Sequence, residues 1–254
     1  MIVFEYLWQV IKQTLYILAV GFFPYLIFAF LMQKISNAIR ERLISLLGIK
    51  GYIYITAPGV MVHELGHAFF CVIFRHKIVE MKLFSPEEDG TLGYVNHRYN
   101  PENRFHRVGN FFIGTGPVWN GIFMLWLFTW LFLPSGILNY NQELLDSFFN
   151  FFGNIFSVTF WSRWQSYIWL YLILTVSSHI TLSPPDLAGA KEGAITLITT
   201  VFLFELLFGW SEFLNNSIKN MLDRGLSWSV SILAVFLFLT LFFAIILSIF
   251  IRTK

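Results

Sequence analysis

The sequence predicts an all-α, multi-pass membrane protein of about six transmembrane helices, with one short membrane-associated β element. Three observations carry this reading. The 254 residues are 56% hydrophobic and only 13% charged, whereas soluble domains carry about 25% charged residues. Apolar runs close to the length needed to cross a bilayer recur along the chain. One internal stretch, 75–108, is polar and alternates in the manner of strands.

The apolar runs fall at about 10–32, 52–74, 109–133, 162–183, 194–210 and 227–251. In lipid a backbone must satisfy its own hydrogen bonds, so each run reads as a helix. Between them, 34–50 (KISNAIRERLISLLGIK) mixes basic and apolar residues and reads as a short interfacial helix. Segment 139–156 is also amphipathic and reads as lying on the opposite surface. Within 75–108, residues 78–84 and 91–99 read as strands, with a turn at Asp89-Gly90. No internal repeat or low-complexity linker divides the chain, so 1–254 reads as one membrane domain, with a core at 52–190 and peripheral helices at 10–32 and 194–251.

Charge and cysteine content narrow the functional classes. A net charge of +2 without a basic block is too small to suggest a nucleic-acid partner, and none is expected. The single cysteine, Cys71, permits no intrachain disulfide and leaves the redox compartment open. The first residues, MIVFEYLWQVIKQ, lack a basic n-region and a cleavage site, so they read as retained. With six spans, the larger share of the 17 Lys and Arg residues falls on one side, which places both termini and the 75–108 loop in the cytoplasm.

Chemistry enters at VMVHELGHAFF, residues 60–70. His63 and His67 are four apart and share one face of a helix. Two imidazoles at that spacing bind one zinc ion, and the intervening Glu64 reaches water at the metal as a general base. A chance match would leave three ionisable groups at membrane depth, each costing about 2.5–3.5 kcal/mol; a bound metal ion offsets that. Catalytic zinc takes three protein ligands, so one more is needed. His76, His97 and His106 lie in the polar loop and read as surface residues. Two candidates remain in SSHITLSPPDLAGA, residues 177–190. Asp186 follows a Pro-Pro break, where a carboxylate either turns toward the metal or merely caps the next helix. His179 is the rival ligand, or a neighbour that orients one. Asn120 reads either as a contact to an extended substrate or as an interhelical hydrogen bond. Glu205, in VFLFELLFGW, reads as facing a cavity or as sitting near a helix end.

HELGH in one membrane segment, GPVWN (116–120) opening the next and a Pro/Asp motif further on together resemble the site-2 protease family of intramembrane zinc metalloproteases. The resemblance covers about 52–190. It implies Zn²⁺ held by His63, His67 and Asp186, Glu64 as catalytic base, Gly116, Pro117 and Asn120 as the second core motif, and a β element that holds a membrane-protein substrate extended. It implies a compact member, in a bacterial cytoplasmic membrane, whose 134–161 loop is too short for an inserted PDZ domain. The family's Asp-Gly pair is Asp186-Leu187 here, with Gly189 later. One rival, a membrane di-iron oxygenase, needs several histidine clusters and finds too few among six histidines. A second rival is a zinc-binding scaffold or transporter without proteolysis, for which Glu64 has no evident use.

Overall fold

The computed structural model of the protein describes residues 2–87, 90–134 and 144–251. The chain runs α1 (Ile2–Gly21), α2 (Phe23–Ile55), α3 (Ala57–Ile73), β1 (Lys77–Lys82), β2 (Tyr94–Arg98), α4 (Arg104–Gly114), α5 (Gly116–Phe132), α6 (Leu144–Ile155), α7 (Val158–Trp161), α8 (Trp164–Ser177), α9 (Pro184–Phe208) and α10 (Glu212–Phe250). The fold is predominantly helical, as expected.

Three helical stretches are long and apolar enough to cross a membrane: Val3–Ile55, Pro184–Phe208 and Leu233–Phe250. A fourth arises if α4 and α5, bent by 58° at their junction, count together. The remaining apolar runs fold into shorter helices than the hydropathy pattern implies. α3 has 17 residues and α8 has 14, about 25 and 21 Å at 1.5 Å per residue, against a hydrocarbon core of about 30 Å. Proline sets several of these breaks, because it lacks an N–H and crowds the carbonyl four residues earlier. Pro24, Pro58 and Pro117 each occupy the second position of a helix, just after Phe22, Thr56 and Thr115 leave helical geometry.

The 34–50 segment is not a separate interfacial helix. It continues α2, with non-helical backbone only at Gly48 (φ +70°). Ile35, Ile39 and Leu43 along it pack against Phe243, Ala244 and Leu247 of α10, which keeps it docked on protein. α6, the described part of 139–156, likewise faces inward: Phe151, Phe152 and Ile155 join the main core around Trp169. The Trp169 indole donates to Thr129 Oγ1 at 3.1 Å, so α8 and α5 share a polar tie inside that core.

β1 and β2 pair antiparallel, with Lys77 opposite Arg98, Lys82 opposite Tyr94 and an irregularity between Ile78 and Glu80. They are narrower than the 78–84 and 91–99 segments predicted. Asp89 of the expected turn lies outside the described residues. Gly93 enters β2 where no side chain fits. A Cβ there would stand 2.8 Å from the carbonyls of Lys82 and Leu83 and 2.9 Å from Glu64 Cγ.

Candidate metal centre

α3 is amphipathic in reverse. Met61, Leu65, Phe69 and Val72 form its exposed apolar stripe, while Glu64 and His67 are buried. This is the pattern of a helix that turns apolar residues to lipid and polar ones to the protein. Glycines then let neighbouring backbones close on it. A Cβ on Gly66 would lie 2.6 Å from the Gly116 carbonyl, and one on Gly116 would lie 2.6 Å from the Gly66 carbonyl. The glycines of HELGH and GPVWN therefore meet each other. Gly59 does the same against α8, where a Cβ would stand 2.1 Å from the Thr175 carbonyl. α9 is drawn in through α4: a Cβ on Gly114 would meet the Asp186 carbonyl at 2.4 Å, and one on Gly193 would meet the Phe111 nitrogen at 2.1 Å.

These contacts bring His63, His67 and Asp186 together, their ligand atoms all within 4.8 Å of one another. The two Nε2 atoms are 3.3 Å apart. His67 Nε2 is 3.2 Å from Asp186 Oδ1, and His63 Nε2 is 3.6 Å from Asp186 Oδ2. A tetrahedral zinc with bonds of 2.0–2.1 Å places its ligand atoms about 3.3–3.4 Å apart, so the triangle has the size of one tetrahedral face.

The hydrogen bonds behind the triangle decide what it can hold. His63 Nδ1 donates to the His179 carbonyl at 3.0 Å, and His67 Nδ1 donates to the Ile113 carbonyl at 2.7 Å. A carbonyl only accepts, so each Nδ1 carries a proton, and in the neutral imidazole each Nε2 then presents a lone pair. Two lone pairs and a carboxylate then converge. One proton bridges only two of these atoms, whereas one divalent metal ion bridges all three. The donor set fits a metal.

Both carbonyls are available because the helices are broken nearby. Pro117 has no N–H to offer Ile113, four residues earlier, so that carbonyl is left to His67. Four residues after His179 stands Ser183, whose N–H donates instead to Asp186 Oδ2 at 2.8 Å. Asp186 N returns a bond to Ser183 Oγ at 3.3 Å, completing a capping box at the start of α9. The two readings of Asp186 thus coincide: it caps α9 and faces both histidines. The prolines open α9 rather than end α8, which stops at Ser177. The unwound residues between are held partly by Gln33, whose Oε1 accepts from Leu182 N at 3.2 Å.

The other candidates sit as follows. The His179 imidazole turns away from the triangle, its Nδ1 bonded to the Thr175 carbonyl at 2.9 Å and near Ser178 Oγ at 3.1 Å. Its backbone carbonyl, not its ring, serves the site. Asn120 Nδ2 donates to the Val62 carbonyl at 2.6 Å, the interhelical bond weighed in the sequence. The same residue also lines an apolar cavity of about 440 Å³ with Leu65, Phe69, Phe70, Trp119, Phe123 and Met124. Gly189 makes no close approach to another element. His76, expected at the surface, is buried at 5% exposure, and His97 and His106 are half-buried beside it. His76 is drawn in because its Nε2 donates to the His106 carbonyl at 2.9 Å while its ring stacks on Tyr99. The orienting carbonyls of Ile113 and His179 have no signature in the sequence beyond Pro117 and the Ser183–Asp186 spacing. No family model, curated protein or solved structure matches this chain.

Proposed function

We propose that this chain is an intramembrane zinc metalloprotease that hydrolyses peptide bonds in or near transmembrane segments of other membrane proteins. The observation that carries the proposal is the triangle of His63 Nε2, His67 Nε2 and Asp186, with Glu64 buried on the same helix between the two histidines. His63, His67 and Asp186 would hold Zn²⁺, with the protonated Nδ1 atoms fixing the tautomers. When bound, zinc supplies Lewis acidity toward a carbonyl oxygen and toward water. Glu64 takes the proton from the attacking water and passes it to the leaving amine. The β1–β2 hairpin, whose Gly93 passes against Glu64, offers a strand edge on which an unwound substrate can pair. The apolar helices support a multi-pass protein. The six-span arrangement with both termini in the cytoplasm is part of this proposal.

The test is Glu64→Gln in full-length protein. Zinc should remain near stoichiometric by metal analysis, while cleavage falls by about 10²–10⁴-fold, the usual contribution of a general base. Prolines scanned through β1 and β2 should impair cleavage with zinc retained, since each deletes a ladder donor. Full activity of Glu64→Gln would overturn the protease reading. Zinc bound without cleavage of any membrane peptide by the unaltered protein would leave a zinc-binding scaffold or transporter.

A further inference from the structure

We infer that the cleft between α1, the end of α9 and the start of α10 binds a zwitterionic ligand with a primary ammonium and a phosphate ester, the chemistry of a phosphoethanolamine head group. The inference is independent of the metal centre.

The floor of the cleft is made of acceptors that lack donors. Glu205 is 1% exposed, and its Oε2 has no hydrogen-bond partner. Gln13 Oε1 is likewise buried and unpartnered. A Cβ on Gly209 would stand 2.4 Å from the Glu205 carbonyl and 3.2 Å from each of these two side-chain oxygens, so both side chains close on Gly209, and both line the cleft. Buried polar atoms are seldom left unmade, and an unpaired buried carboxylate is the most costly of them. Two acceptors lining one cleft suit a group with several N–H donors, and an ammonium carries three.

The mouth has the opposite character. Lys12 from α1 and Lys219 from α10 line the same cleft of about 430 Å³, and both are exposed. Lys219 lies over the Tyr16 ring, 6.0 Å from its centroid, and the Tyr16 hydroxyl donates to Asp223. Two cations at the mouth disfavour a bare metal ion, and a carboxylate at the floor disfavours a bare anion. A ligand that is anionic at one end and a hydrogen-bonding cation at the other satisfies both.

The position of the cleft favours a lipid. The apolar helix α9 ends at Phe208, three residues past Glu205, and the α10 residues that line the cleft, Asn215, Asn216, Ile218 and Lys219, belong to the polar stretch ahead of that helix's apolar run from Leu233. Trp210 and Trp8 are exposed at 72% and 54%, as aromatic residues are at a membrane–water boundary.

The experiment titrates purified full-length protein in neutral detergent with phosphatidylethanolamine and with phosphatidylcholine of identical acyl chains. Retained lipid is read by native mass spectrometry. Phosphatidylethanolamine should be retained at least about tenfold better, because a quaternary ammonium has no N–H for Glu205. Glu205→Gln should abolish that preference at unchanged melting temperature; should that variant fail to fold, Gln13→Leu carries the same expectation. Lys12→Ala and Lys219→Ala should each weaken both lipids by about fivefold. Excess glycerophosphoethanolamine tells the sources apart: failure to displace the lipid assigns the site to the bilayer, and displacement assigns it to a soluble zwitterion. Equal retention of the two lipids by the unaltered protein, or a preference that survives both variants, would overturn the inference.

Discussion

Two histidine clusters lie in the stretch from α3 to α4, and they are built in opposite ways. In the first, His63 and His67 spend their Nδ1 protons on backbone carbonyls and turn bare Nε2 atoms toward each other and toward Asp186. In the second, His76 Nε2 donates to the His106 carbonyl, and its Nδ1 meets His97 Nδ1 at 3.0 Å, where one proton satisfies both rings. His106 Nδ1 accepts from Asn100 N. No carboxylate joins this second group among the described residues, and the His76 ring stacks on Tyr99. The first cluster turns two Nε2 atoms and a carboxylate toward one point, while the second closes on itself. What separates a candidate metal site from a structural knot is therefore where the ring protons go, not how many histidines are near one another.

The strongest way to break this contrast is to remove the carboxylate. Asp186→Asn preserves the cap on α9 but weakens the anionic ligand, and Asp186→Ala removes both. Each should strip zinc under mild chelator, with an affinity loss well beyond the roughly 10–100-fold typical of residues that only orient a ligand. His179→Ala should do far less, because it retains the carbonyl that holds His63. The reverse order of zinc loss, at equal protein yield, would return the third-ligand role to the His179 ring.

Pro117→Ala probes the carbonyls. It restores an N–H four residues after Ile113, which competes with His67 Nδ1 for the same oxygen. Zinc affinity should fall within that 10–100-fold range, measured by competition with a calibrated chelator, while the His76 cluster stays intact. Gly66→Ala tests the backbone approach that precedes both. A methyl group 2.6 Å from the Gly116 carbonyl must push α3 and α5 apart. The expected cost is about 1–3 kcal/mol in unfolding, read as a lowered melting temperature together with reduced zinc content.

The smallest effect sharpens the second cluster. Burial, then the charges of His76 and His67, push His97 down to about 4, and burial also lowers His76. An unfolded chain binds protons at these rings near pH 6.5 and the folded chain does not. Stability should therefore decline as pH falls from about 6.5 toward 4 and level off below that. His97→Gln should flatten part of the slope, seen in melting temperature against pH. An unchanged profile would show that His97 is not held neutral by the fold.

Much of the site was legible because it is local. His63, Glu64 and His67 lie on one helix, where spacing alone sets direction. The Pro-Pro break before Asp186 marked a place where backbone regularity fails. The span pattern was legible only coarsely, because hydropathy sums composition over a window and does not register a bend. Phe22 and Thr115 interrupt apolar runs without changing their composition, so they left no mark. The buried state of His76 was illegible for a related reason: a polar loop reads as exposed until something packs on it, and Gly109, where a Cβ would lie 2.5 Å from Phe74 and 3.0 Å from His76 Nε2, is what permits that packing.

By itself the sequence determined a helical, apolar chain, the shared helix face of His63 and His67, and the break at which Asp186 and His179 stand as rival third members of the candidate site. Those follow from composition, from a four-residue period and from proline, all of which act within a few residues. Only the tertiary structure decided which carbonyls orient the histidines, that Asp186 caps and faces the site at once, and that Gly66 lies against Gly116. These depend on helices far apart in sequence meeting at backbone distance, and that distance is set by the whole packing rather than by any one segment.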